Sequence, residues 1–211
     1  MFDKEMFEKV CNVTCTLDEL KRFNSKINEK EFDVGNCFEK YYSIDTVLKC
    51  TKLYKDKRIS DGYLAYWFNA YNWIVMGGFK GETGDEDKKS VDLATILIWD
   101  ICDWLDSLSF FDCEDDHLSM AIGNLRILDS IYKNRKKWEA FYSFDTDIYD
   151  DGEPINDINV LLVSKTKNVY YTLHSDICDF KEYALDEQFA QVPHIKSLIN
   201  DLMAKGYKEL D

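Results

Sequence analysis

Eighteen consecutive residues, Gly62 to Phe79, carry no charge (GYLAYWFNAYNWIVMGGF). A run of that length belongs either in lipid or in the middle of a fold, because water solvates it poorly. Asn69 and Asn72 interrupt it, glycines stand at both ends, and much of it is aromatic rather than aliphatic. It therefore reads as a buried central helix, opened by Ser60 or Asp61 and closed at Gly77-Gly78. The remaining sequence must supply the cover.

Helical signals dominate as far as residue 137. Thr16-Leu17-Asp18-Glu19 has the capping-box spacing and predicts a helix to about Ile27. Phe38, Tyr41, Tyr42, Val47 and Leu48 follow a helical period that breaks near Ser43. A polar loop spans 81–90, and Ser90 can cap a helix over roughly 91–108. Glu114, Asp115 and Asp116 suit the first turn of the next helix, which the spacing of Leu118, Ala121, Ile122, Leu125 and Leu128 carries to about Tyr132.

The pattern then changes. Trp138 to Phe144 alternates loosely, and residues 159–163 and 169–173 are rich in β-branched and aromatic types around a turn at Ser164 to Asn168. They read as an antiparallel hairpin over about 158–174 that needs a third strand or a covering helix. A last helix runs from about Pro193 to Lys205, stopped by Gly206. The expected class is α+β: a helical body over residues 1–137, a small antiparallel sheet and a C-terminal helix. With two prolines and nine glycines there is little linker material, so the chain reads as one domain or as that body with 138–211 as a small α+β subdomain. No internal repeat is visible.

Charge is placed unevenly on this scaffold. The formal net charge is −14, and residues 82–116 hold twelve acids against Lys88 and Lys89. Residues 145–157 hold six acids and no base. That balance argues against direct nucleic-acid binding and against an anionic membrane surface. The basic run Lys133, Arg135, Lys136 and Lys137 fits the end of a helix, where cations complement the dipole. The opening residues carry charges from the third position and form no signal-peptide core. Seven cysteines without a CxxC pair suggest a cytosolic protein with reduced thiols.

No constellation forces a chemistry. Cys113 and His117 mirror His174 and Cys178 at the same spacing, and the four would make a zinc site only if the fold brought them together. The aspartates before Gly152 miss the calcium-loop register. There is no nucleophile elbow and no phosphate-binding glycine loop. The expectation is no metal and no cofactor, with enzymatic activity left undecided.

The leading functional expectation is a protein-binding role. An inhibitor or immunity protein of a basic, nucleic-acid-acting partner would use clustered carboxylates to steer association and an aromatic to hold the complex. The candidates are Trp99 among Asp92, Asp100, Asp103 and Asp106, with Asp145, Asp147, Asp150 and Asp151 as a second patch. The alternatives are an enzyme with a pocket near Asn69 and Asn72, and a homodimeric structural or regulatory module.

Overall fold

The computed structural model describes residues 4–27, 37–77, 93–110, 115–148, 154–176 and 195–211. The chain forms two compact units, one of residues 1–86 with 101–130 and the other of 87–100 with 131–211. The division falls inside two helices, α6 (Leu93–Phe110) and α7 (Asp115–Lys133).

The first unit holds α1 (Lys4–Cys11), α2 (Leu17–Lys26), α3 (Cys37–Tyr41), α4 (Ile44–Lys55) and α5 (Asp61–Met76). The uncharged segment is α5, with Ser60 accepting from the Tyr63 N–H as its N-cap. No helix among the described residues is long and apolar enough to cross a membrane. Instead α5 is buried by α1 to α4, and its aromatics explain why it is so poor in aliphatic residues. Tyr63, Trp67 and Tyr71 recur every four residues, so they form one stripe along the helix. Each combines a buried ring with a polar tip. The Tyr63 hydroxyl donates to the Cys15 carbonyl at 3.0 Å, and the Trp67 indole donates to the Val10 carbonyl at 2.9 Å. The Tyr71 hydroxyl accepts from the Ser43 N–H at 2.7 Å and lies 3.2 Å from the Tyr41 carbonyl. The stripe thus satisfies backbone groups at the end of α1, in the α1–α2 connector and in the α3–α4 connector.

The capping box forms as the spacing predicts. Thr16 accepts from the Glu19 N–H at 3.2 Å, and the Glu19 carboxylate accepts from the Thr16 N–H at 2.8 Å and from Lys9 Nζ at 3.0 Å. The Thr16 amide first, then Lys9, lower the Glu19 pKa from the ordinary 4.5 to about 2. A carboxyl depressed on folding contributes stability above its unfolded pKa and loses it as pH falls through the folded one. Glu19→Gln should therefore flatten the acid limb of a melting-temperature profile between about pH 4.5 and about pH 2. An unchanged limb would show that the box contributes nothing there.

One feature of this unit is invisible in the sequence. The α1–α2 and α4–α5 connectors share one backbone design, 44 positions apart. In the first, Val13 sits at φ 52°, Val13 N–H reaches the Val10 carbonyl, Thr14 N–H reaches that of Lys9, and Thr16 caps α2. In the second, Lys57 sits at φ 56°, Lys57 N–H reaches the Tyr54 carbonyl, Arg58 N–H reaches that of Leu53, and Ser60 caps α5. Both are left-handed helix ends followed three residues later by a hydroxyl N-cap. The likeness is one of backbone alone, since the side chains of the two connectors differ.

In the second unit β1 (Trp138–Ile148), β2 (Pro154–Ser164) and β3 (Val169–Asp176) form an antiparallel meander, and β4 (Lys208–Glu209) joins β3 in parallel. The sheet is accordingly mixed rather than purely antiparallel. Side chains alternate between its faces. Leu161, Val163 and Tyr170 pack with Leu202 of α8 (Ile195–Ala204), flanked by Phe141, Leu198 and Ile199. Val160, Leu162 and Leu173 line the opposite face and are buried as well. Both the third strand and the covering helix that the hairpin requires are present.

Gly206 is the stop of α8 for a definite reason. It adopts φ +85°, and the Gly206 and Tyr207 amides return to the Met203 and Leu202 carbonyls, each at 3.0 Å. Tyr207 and Leu202 then share the apolar cluster, as this helix-ending motif favours. Asn168 Nδ2 donates to the Gly206 carbonyl at 2.6 Å, which ties the β2–β3 turn to the chain entering β4.

Candidate functional site

The acidic stripe read on α6 is narrower than its helical rotation implies. Ile96, Leu97, Ile98, Ile101, Cys102, Leu105 and Leu108 are all buried, so the helix is covered around well over half its circumference. Asp100 is only 4% exposed, which removes it from any surface contact. Its charge, after burial itself, helps push the Tyr171 phenol up to about 12. Asp103 is exposed, while Trp99 and Asp106 are half-buried. Asp92 lies outside the described residues. Helical rotation sets Asp100 at the edge of the acidic side, one heptad from Leu93, and the broad buried arc of this helix takes it in.

Asp106 also has work inside the fold. Its carboxylate accepts from Asn72 Nδ2 at 3.3 Å, and Asn72 is 2% exposed with its Oδ1 unpartnered. Tyr66 is exposed at the surface, and its carbonyl accepts from Asn24. Asn69 is half-buried.

The second acidic patch gains definition from strand register. Asp145 and Asp147 belong to β1, and the antiparallel pairing sets Asp145 opposite Asp157 of β2. Asp157 is in turn opposite Asp176 of β3. Three aspartates thus stand abreast across three strands, beside Asp147 and next to the β1–β2 connection. Like charges directly opposite on neighbouring strands destabilise a sheet. Asp150 and Asp151 fall in that connection, outside the described residues. Asp176 could not be grouped with Asp145 and Asp157 from the sequence, since only the register makes it their neighbour.

Of the Cys/His quartet, Cys113 and Cys178 lie outside the described residues; His117 is exposed on α7, and His174 belongs to β3. Among the described residues no three His, Cys, Asp or Glu side chains are grouped to hold a metal ion. Cys11, Cys15, Cys37, Cys50 and Cys102 are free thiols, and burial raises the pKa of each. A thiol held protonated is a poor nucleophile. The basic run Lys133 to Lys137 does end a helix: Arg135 donates to the Tyr132 carbonyl at 3.0 Å and lies over the Tyr132 ring at 4.3 Å. Comparison with protein-family models, with curated proteins and with solved structures yields no match.

Proposed function

We propose that this chain is a protein-binding protein that engages a basic partner through the acidic end of its sheet, as an inhibitor of a nucleic-acid-acting protein would. The observation that supports this reading is the register that sets Asp145, Asp157 and Asp176 abreast. Like charges set directly opposite on neighbouring strands destabilise a sheet. A basic surface would relieve that repulsion on binding, so the strain of the free sheet becomes affinity for the partner. The concentrated charge would also steer a cationic partner during approach. The sheet end carries this role better than α6, where Asp100 is buried and Asp106 is bound to Asn72.

The test compares the wild-type chain with a variant carrying Asp145→Asn, Asp147→Asn and Asp157→Asn as immobilised baits in extract of its own cells. Wild type should retain one or a few basic proteins at low salt and release them at high salt. The variant, with an unchanged circular dichroism spectrum, should not retain them. Equal retention by both baits, or retention only of acidic proteins, would overturn the proposal.

A further inference from the structure

The net charge of the chain conceals a basic region. Residues 49–58 hold Lys49, Lys52, Lys55, Lys57 and Arg58 against Asp56 alone, and all five cations are exposed. Lys49 is used locally, donating to the Asn12 carbonyl at 2.7 Å. Among the described residues, none of Lys52, Lys55, Lys57 and Arg58 has a carboxylate within ion-pair distance. In a chain with forty acids and twenty-six bases, that concentration of unpaired cations is unusual.

Arg58 also lines a cleft. The two matching connectors stand side by side in the first unit and enclose an open hollow of about 430 Å³. Val13, Leu17, Leu53 and Ile59 form its apolar walls, and no carboxylate lines it. Its other titratable groups are neutral: burial raises the Cys15 thiol to about 12, and the Tyr63 phenol is raised too and donates to the Cys15 carbonyl. Arg58 is the one charged residue lining the cleft among the described residues, and Glu19 lies close enough for its charge to act on Cys15 and Tyr63. Ser60 adds a hydroxyl, whose oxygen accepts from the Tyr63 N–H at 3.2 Å while its proton remains available.

We infer that this cleft binds a small amphipathic anion, with a carboxylate or phosphate-monoester head on Arg58 and an apolar body against Leu17, Leu53 and Ile59. A guanidinium suits both heads because its planar donors can engage two oxygens at once. The walls suit a concave small-molecule site, which is mostly apolar with a few fixing polar groups. Lys52, Lys55 and Lys57, close to Arg58 in the chain, add positive charge to this stretch, against the repulsion an anion meets from Glu19 and the acidic remainder of the chain. A nucleic acid is disfavoured because Arg58 is the one cation lining the hollow among the described residues.

Titration calorimetry on the full chain tests this with dodecyl phosphate and dodecanoate below their micellar concentrations. Dodecyltrimethylammonium and inorganic phosphate serve as controls. At least one anionic amphiphile should bind one-to-one, and whichever binds identifies the head group. Arg58→Gln should weaken that binding about tenfold or more, the loss of a charged hydrogen-bonding group. Thr14→Trp, which places a bulky side chain at the lining of the cleft, should abolish it. The inference is overturned if Arg58→Gln binds like wild type, if the cationic amphiphile binds as tightly, if inorganic phosphate alone binds as tightly, or if neither anionic amphiphile binds.

Discussion

Trp67→Ala is expected to destabilise the helical unit by about 3–5 kcal/mol, the range for truncating a large aromatic in a core. The ring is completely buried, stacked on Tyr71 at 4.8 Å between centroids and edge-on to Phe68 at 5.2 Å. Truncation would leave a cavity beside the central helix and would strip the Val10 carbonyl of its donor. Trp67→Phe separates the two effects, since it keeps much of the volume but removes the indole N–H. That change alone should cost about 1–3 kcal/mol, the penalty for a buried acceptor left unsatisfied. Urea denaturation followed by far-ultraviolet circular dichroism gives both values. A loss below about 1 kcal/mol for Trp67→Ala would be that of an ordinary surface change and would contradict the central place given to α5.

Leu161→Ala should have an effect of similar size in the other unit, about 2–5 kcal/mol. Leu161 is fully buried at the centre of β2 and belongs to the cluster that joins the sheet to Leu202 of α8. α8 spans ten residues, short for a helix to persist in isolation, so its stability depends on that packing. Hydrogen exchange by mass spectrometry should show protection of residues 195–204 falling sharply in the variant, while α5 keeps its protection. Unchanged exchange in α8 would show that something other than the Leu161 face holds it.

Much of this architecture was legible because local chemistry and tertiary structure agree. Thr16 and Ser60 mark helix starts where hydroxyl caps are expected, and Gly206 marks a stop where a left-handed residue is required. The hairpin was legible from its β-branched and aromatic runs. The short helix α1 went unread although Asp3 precedes it and Met6, Phe7 and Val10 share a helical face, because eight residues give the helical period little room to show. β1 extends to Ile148, beyond the apolar residues that suggested it, because pairing with β2 recruits the polar Asp145 and Asp147. The twin connectors escaped notice because Val13 and Lys57 occupy the positions where glycine would announce such an ending.

The candidate sites were less legible for a related reason. Helical rotation correctly separates Leu97 and Leu105 from Asp103, but a one-faced picture cannot see that Asp100 is covered as well. The row of Asp145, Asp157 and Asp176 depends on strand register, which composition does not encode. The cations of residues 49–58 were overlooked because charge was weighed against the whole chain, in which acids prevail.

The most direct test of the binding role is the association rate of the recovered partner across a range of ionic strength, for wild type and for the Asp145→Asn, Asp147→Asn, Asp157→Asn variant. Electrostatic steering predicts a wild-type rate that falls steeply with salt and a variant rate that is slower at low salt and nearly flat. Superimposable rates and salt slopes would contradict a function carried by the acidic end of the sheet.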